Sequence, residues 1–75
     1  MKFKELDAVV VLFDIPTEKI TAGMTGTVVI TFDNYPDYYL VEFVNKNGET
    51  IILTEIHEDY LEAYQPNSLS TKKVA

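Results

Sequence analysis

The residues best equipped for chemistry sit in Glu55-Ile56-His57-Glu58-Asp59, around the only histidine of the chain. A histidine beside carboxylates can act as a general base or a metal ligand. The partners such a base needs are missing. There is no cysteine, and no serine precedes Ser68. A Ser/His or Cys/His pair is therefore excluded from the expected domain, and a lone histidine in an acidic surface turn reads as solvated surface. The run Glu55, Glu58, Asp59 and Glu62 could hold a hard cation through oxygen ligands. It lacks the alternating Asp/Asn spacing and the glycine of a calcium-binding loop, so a solubilising acidic face is the plainer reading. Asp33, Asn34 and Asp37 need no cation either, because Asx residues are ordinary turn formers. No cofactor is implied.

The tyrosines carry more weight. Five occur in 75 residues, and Tyr35, Tyr38 and Tyr39 fall within five positions. Aromatic side chains on neighbouring loops form shallow grooves for extended or proline-rich peptides, and Tyr and Phe are enriched at protein interfaces. Tyr39 reads as core. Tyr35 and Tyr38, together with Leu40 and the acids Glu42, Glu55, Glu58 and Asp59, make up the candidate partner-binding surface. Leu40, Val44 and either Ile51 or Ile52 should form an outward apolar patch beside those acids.

Charge narrows the partner. Six lysines and no arginine stand against twelve carboxylates, a net −6. Between Thr21 and Gln65 eight of those carboxylates face one cation, Lys46. Such a surface repels phosphate backbones, and the missing arginines remove the commonest base-reading side chain. Nucleic acid is not the expected partner; a basic protein is. No apolar run approaches the roughly 18–20 residues of a membrane span, and MKFKELD has no apolar signal-peptide core. A cytoplasmic protein without a membrane partner is expected, and the absence of disulfides is compatible with that.

The elements that must position these residues follow from the apolar patterning. Ala8–Phe13, AVVVLF, is too short for a helix and rich in β-branched residues, so it reads as a first strand. Asp14-Ile15-Pro16 ends it. Thr17–Thr21 is a loop with one helical turn, and Ile20 folds back onto the core. Phe3 and Leu6 are candidate staples before the strand. The centre of the chain is AGMTGTVVITF, residues 22–32, where Gly23 and Gly26 open onto a second strand, Thr27–Phe32. Its alternation puts Val28, Ile30 and Phe32 on one face, and Gly26 is expected to need positive φ. The third strand, Tyr38–Val44, buries Tyr39, Val41 and Phe43 and turns Glu42 outward. Asn47-Gly48 then signals a tight hairpin into a fourth strand from Thr50 to Leu53 or slightly beyond. His57–Tyr60 is expected as one helical turn before a fifth strand, Leu61–Tyr64. The alternative is a helix over Leu53–Tyr64, with Ile56, Tyr60 and Tyr64 aligned.

One domain, residues 1–65, is expected, with a disordered C-terminal tail at 66–75. The fold class is all-β, a small five-stranded SH3-like barrel, since closure would spare so short a chain its exposed edges. ELDAVVVLFDIP, AGMTGTVV, YYLVEFVNKNGETI and the closing LEAY resemble the small bacterial DUF4926 family over roughly Leu6–Tyr64. The resemblance implies an SH3-like domain with no established biochemical activity. Gly23, Gly26 and Val28 are also similar to the turn of KOW-type barrels, whose RNA and ribosomal contacts use basic loops this chain lacks. The expected function is a non-catalytic protein-interaction module, with an antitoxin- or immunity-like protein as one version. A homodimer burying the Leu40/Val44 face is the alternative, because it would offset a core that buries only about 60% of the unfolded surface.

Overall fold

A computed structural model describes residues 1–65 of the chain; the expected tail at 66–75 lies outside the described residues. Five antiparallel strands form one sheet: β1 (Ala8–Val11), β2 (Thr25–Thr31), β3 (Tyr38–Val44), β4 (Thr50–His57) and β5 (Leu61–Ala63). Their spatial order is β4-β3-β2-β1-β5. A 3₁₀ turn, Pro16–Glu18, interrupts the long β1–β2 loop, and a second, Glu58–Tyr60, joins β4 to β5. The helix over Leu53–Tyr64 does not form. Its first five positions continue the β3 ladder as far as Tyr38↔His57 instead.

The core is made where the period-two pattern points inward. Val9 and Val11 of β1, Val28 of β2, Tyr39, Val41 and Phe43 of β3, Ile56 of β4 and Leu61 of β5 are buried, with Phe3 and Ile20 closing the two ends. Tyr39 carries the one polar atom that matters there. Its hydroxyl accepts the backbone N–H groups of Lys2 and Phe3 at 2.7 and 3.0 Å, and its ring meets Phe3 edge-on at 5.3 Å. A buried hydroxyl left without partners is costly, so these bonds both satisfy Tyr39 and fix the N-terminal segment.

Several expectations are corrected. Strand β1 ends at Val11 rather than Phe13, because the Leu12 N–H is taken by the Tyr60 carbonyl and Phe13 swings out against the Tyr60 ring. Strand β2 begins two residues early, and its register shifts between Val28 and Ile30. That bulge turns Ile30 outward, 43% exposed, while Val28 stays fully buried; the two do not share a face. Leu6 is not a staple. It is 82% exposed with φ +76°, and its N–H bonds the Val28 carbonyl. Gly26 has no left-handed backbone. An added Cβ there would lie 2.8 Å from Val41 Cγ1 and 2.9 Å from the Glu42 carbonyl, so close approach of β2 to β3 is what requires glycine.

The closed barrel is corrected as well. Strand β5 is three residues long and pairs with β1, whereas β4 pairs with β3. Among the described residues no ladder joins β4 to β5, and the sheet keeps two edges. The far edge of β4 instead looks onto the β1–β2 loop, across a depression of about 510 Å³ lined by Thr17–Lys19 and Ile51–Leu53. Among the described residues no helix is long and apolar enough to cross a membrane.

Candidate functional site

A groove of about 280 Å³ opens where three connections meet. Asp14, Ile15 and Pro16 come from the β1–β2 loop, Tyr38 from the start of β3, Glu55–His57 from the end of β4, and Tyr60 from the second 3₁₀ turn. Each is held by backbone bonds. The Ile15↔Ile20 bridge and the Ala22 N–H on Asp14 Oδ1 at 2.8 Å shape the loop. The Glu58 N–H reaches the Asp37 carbonyl at 2.7 Å, tying the β4 end to the β2–β3 turn. The Asp59 N–H is capped by His57 Nδ1 at 3.0 Å.

The groove walls are aromatic. Phe32 stacks on Tyr35 at 4.8 Å, Tyr35 meets Tyr38 edge-on at 6.4 Å, and Tyr38 meets His57 edge-on at 5.0 Å. On the opposite side Phe13 and Tyr60 form a second edge-on pair at 5.6 Å. Tyr38 and Tyr60 remain 41% and 40% exposed, so ring surface is offered to a ligand rather than consumed by the core. The charged lining residues, Asp14 and Glu55, are both acidic and exposed.

His57 Nδ1 also stands 3.6 Å from Asp59 Oδ2. The two contacts ask for opposite protonation states, since a nitrogen that accepts the Asp59 N–H carries no proton of its own. The 3.0 Å cap is the shorter contact and assigns Nδ1 as the acceptor. The histidine thus shapes the turn and supplies a ring face. Among the described residues no three His, Asp or Glu side chains converge to hold a metal ion, and the run Glu55, Glu58, Asp59 and Glu62 is spread along the β4–β5 connection.

The structure brings together only part of the expected surface. Tyr38 and Glu55 line the groove, and Tyr35 joins them through its ring contact. Glu58 and Asp59 sit on the turn beside it. Leu40 lies one step along the outer face of β3, directly across from Glu55. Glu42 lies away from the groove; it pairs with Leu53, accepts the Thr50 hydroxyl, and lines a separate depression with Val44 and Tyr64. Ile52, one of the two candidates for the apolar patch, packs against the core, while Ile51 is 53% exposed. Sequence reasoning missed Asp14, Ile15, Pro16, Ile56, His57 and Tyr60 as groove residues. The available signal was Phe13 and Pro16 bracketing a loop, but nothing in the sequence brings that loop to Tyr60.

A family model described as a domain of unknown function, DUF4926, matches residues 5–63. No curated protein and no solved structure matches the chain.

Proposed function

The chain belongs to the DUF4926 family, a domain of unknown function, and from its geometry we propose a non-catalytic protein-interaction module that holds an extended, basic segment of a partner protein. The observation that carries this is the groove itself: Pro16, Tyr38 and Tyr60 expose apolar and aromatic surface between two carboxylates, Asp14 and Glu55, and among the described residues no lysine lines it. Extended segments dock on aromatic-lined grooves at low conformational cost, and acids at the rim select cationic side chains and speed encounter. We read the frame as SH3-like. The strand order, the long loop after β1 and the 3₁₀ turn before a short β5 support that reading. An antitoxin or immunity protein, which works by covering a basic partner, is one version of this role. A non-catalytic reading is supported by the lack of cysteine and of any serine before Ser68.

The test is capture from the native host with the wild-type protein and a Tyr38→Ala/Tyr60→Ala variant, at low and moderate salt. The expected result is one stoichiometric basic protein, lost on the variant and weakened as salt rises. Equal capture by both proteins, or binding indifferent to salt, would overturn the reading.

A further inference from the structure

The two edges of the sheet are not alike. Strand β5 is three residues long, and Pro66 follows it closely in sequence; short edges and prolines are the usual protection against strand addition. Strand β4 runs eight residues, Thr50–His57, with neither lysine nor proline.

The hydrogen-bond phase shows which backbone groups that edge offers. Antiparallel partners alternate between bonded and non-bonded pairs. The Glu58 N–H bonds the Asp37 carbonyl, one step beyond Tyr38↔His57, so Leu40↔Glu55 and Glu42↔Leu53 fall in the non-bonded phase. The β1–β2 pairing fixes the same phase from the other side of the sheet. Val28 exchanges its N–H and carbonyl with Asp7 and Leu6, so Thr27 turns its backbone toward β3 and Glu42, its partner, is committed to Thr27. The N–H and C=O groups of Leu53 and Glu55 therefore point to the open edge. Their side chains lie on the outer face, where Ile51 and Leu53 are 53% and 55% exposed.

We propose that the β4 edge takes an added antiparallel strand from a partner protein, a segment whose alternate residues, all on one face, run cationic, apolar, apolar, cationic. The apolar positions would cover Leu53 and Ile51, and the cations would meet Glu55 and Glu49. Charge selects this occupant over a second copy of the chain. Residues 1–65 carry twelve carboxylates and four lysines, and among the described residues the one lysine on the depression beside the edge, Lys19, has Glu18 next to it. This proposal shares Glu55 with the groove, but it rests on the free backbone of Leu53 and Glu55, whereas the groove reading rests on the side chains of Pro16, Tyr38 and Tyr60.

The probe is the peptide Lys-Thr-Val-Thr-Val-Thr-Lys, whose two Lys and two Val share one face, followed by amide resonances and hydrogen exchange of the whole chain. Leu53 and Glu55 amides should exchange about tenfold more slowly at a peptide concentration about ten times Kd, and added salt should reverse this. The same peptide N-methylated at alternate residues should not bind. Leu53→Pro, which removes only an outward N–H, should fold and lose binding; Glu55→Lys should weaken binding with the backbone intact. Four results would overturn the proposal: no binding at about 1 mM peptide, shifts confined to Tyr38, His57 and Tyr60, equal binding of the N-methylated peptide, or a β4-paired dimer of the chain without peptide. The Leu53 amide reports on the edge alone and the Tyr38 and Tyr60 rings on the groove alone, so failure of one leaves the other legible.

Discussion

At the residue scale three positions are set by identifiable physics. Gly26 faces Val41 and the backbone of Glu42 with no room for a methyl group. Gly26→Ala should cost about 1–3 kcal/mol, measured by denaturant unfolding, and equal stability would show that β2 and β3 can separate freely. Leu6 holds φ +76° with an exposed side chain that packs on nothing in the core. Left-handed backbone costs a non-glycine residue about 1–2 kcal/mol, partly offset by the greater freedom of glycine in the unfolded chain. Leu6→Gly should therefore raise stability by about 0.5–1 kcal/mol in the same assay. Tyr39→Phe removes the acceptor shared by Lys2 and Phe3 and should cost about 1–3 kcal/mol, with faster exchange of those two amides. Sequence alone placed Tyr39 in the core but could not foretell its role as an anchor. The partners lie 36 and 37 residues away, and no local pattern encodes that distance.

At the element scale the period-two pattern was legible wherever a strand is regular. Tyr38–Val44 matches its expected span, and the hairpin at Asn47-Gly48 follows from Gly48, which sits at φ +83°. The pattern failed at the β2 bulge, since one extra residue reverses the faces beyond it and leaves Val28 and Ile30 on opposite sides. It also understated β4, whose alternating Thr54, Glu55, Ile56 and His57 continue the ladder past the apolar run. Strand β5 shows how little holds the last connection: Leu61 is its one buried residue. Leu61→Ala should cost about 2–5 kcal/mol and expose the Leu12 and Tyr64 amides, which bond across it to Tyr60 and Ala8. Val28→Asp should abolish cooperative unfolding by placing an unpaired charge in the core. Glu58→Ala should stay within about 0.5 kcal/mol.

At the scale of the whole molecule, composition foretold the character of the surface better than the place of the site. The excess of carboxylates and the surplus of tyrosines were evident from the sequence, and both turn up at the groove. Its location was not evident, because it is assembled from a loop at residues 14–16, a strand start at Tyr38 and a turn at Tyr60, which only the β4-β3-β2-β1-β5 order brings together. The same charge excess should make the fold respond to salt. Screening twelve carboxylates lowers self-repulsion, so the melting temperature should rise with added sodium chloride, and a falling one would mean that attractive pairs dominate. The central claim is that the Pro16/Tyr38/Tyr60 groove holds an extended basic segment. Its most direct measurement is a titration of the protein with a lysine- and proline-containing peptide, following the ring resonances of Tyr38, His57 and Tyr60. The account predicts that these rings shift together and that affinity falls as salt rises; silent rings, or shifts that salt leaves unchanged, would contradict it.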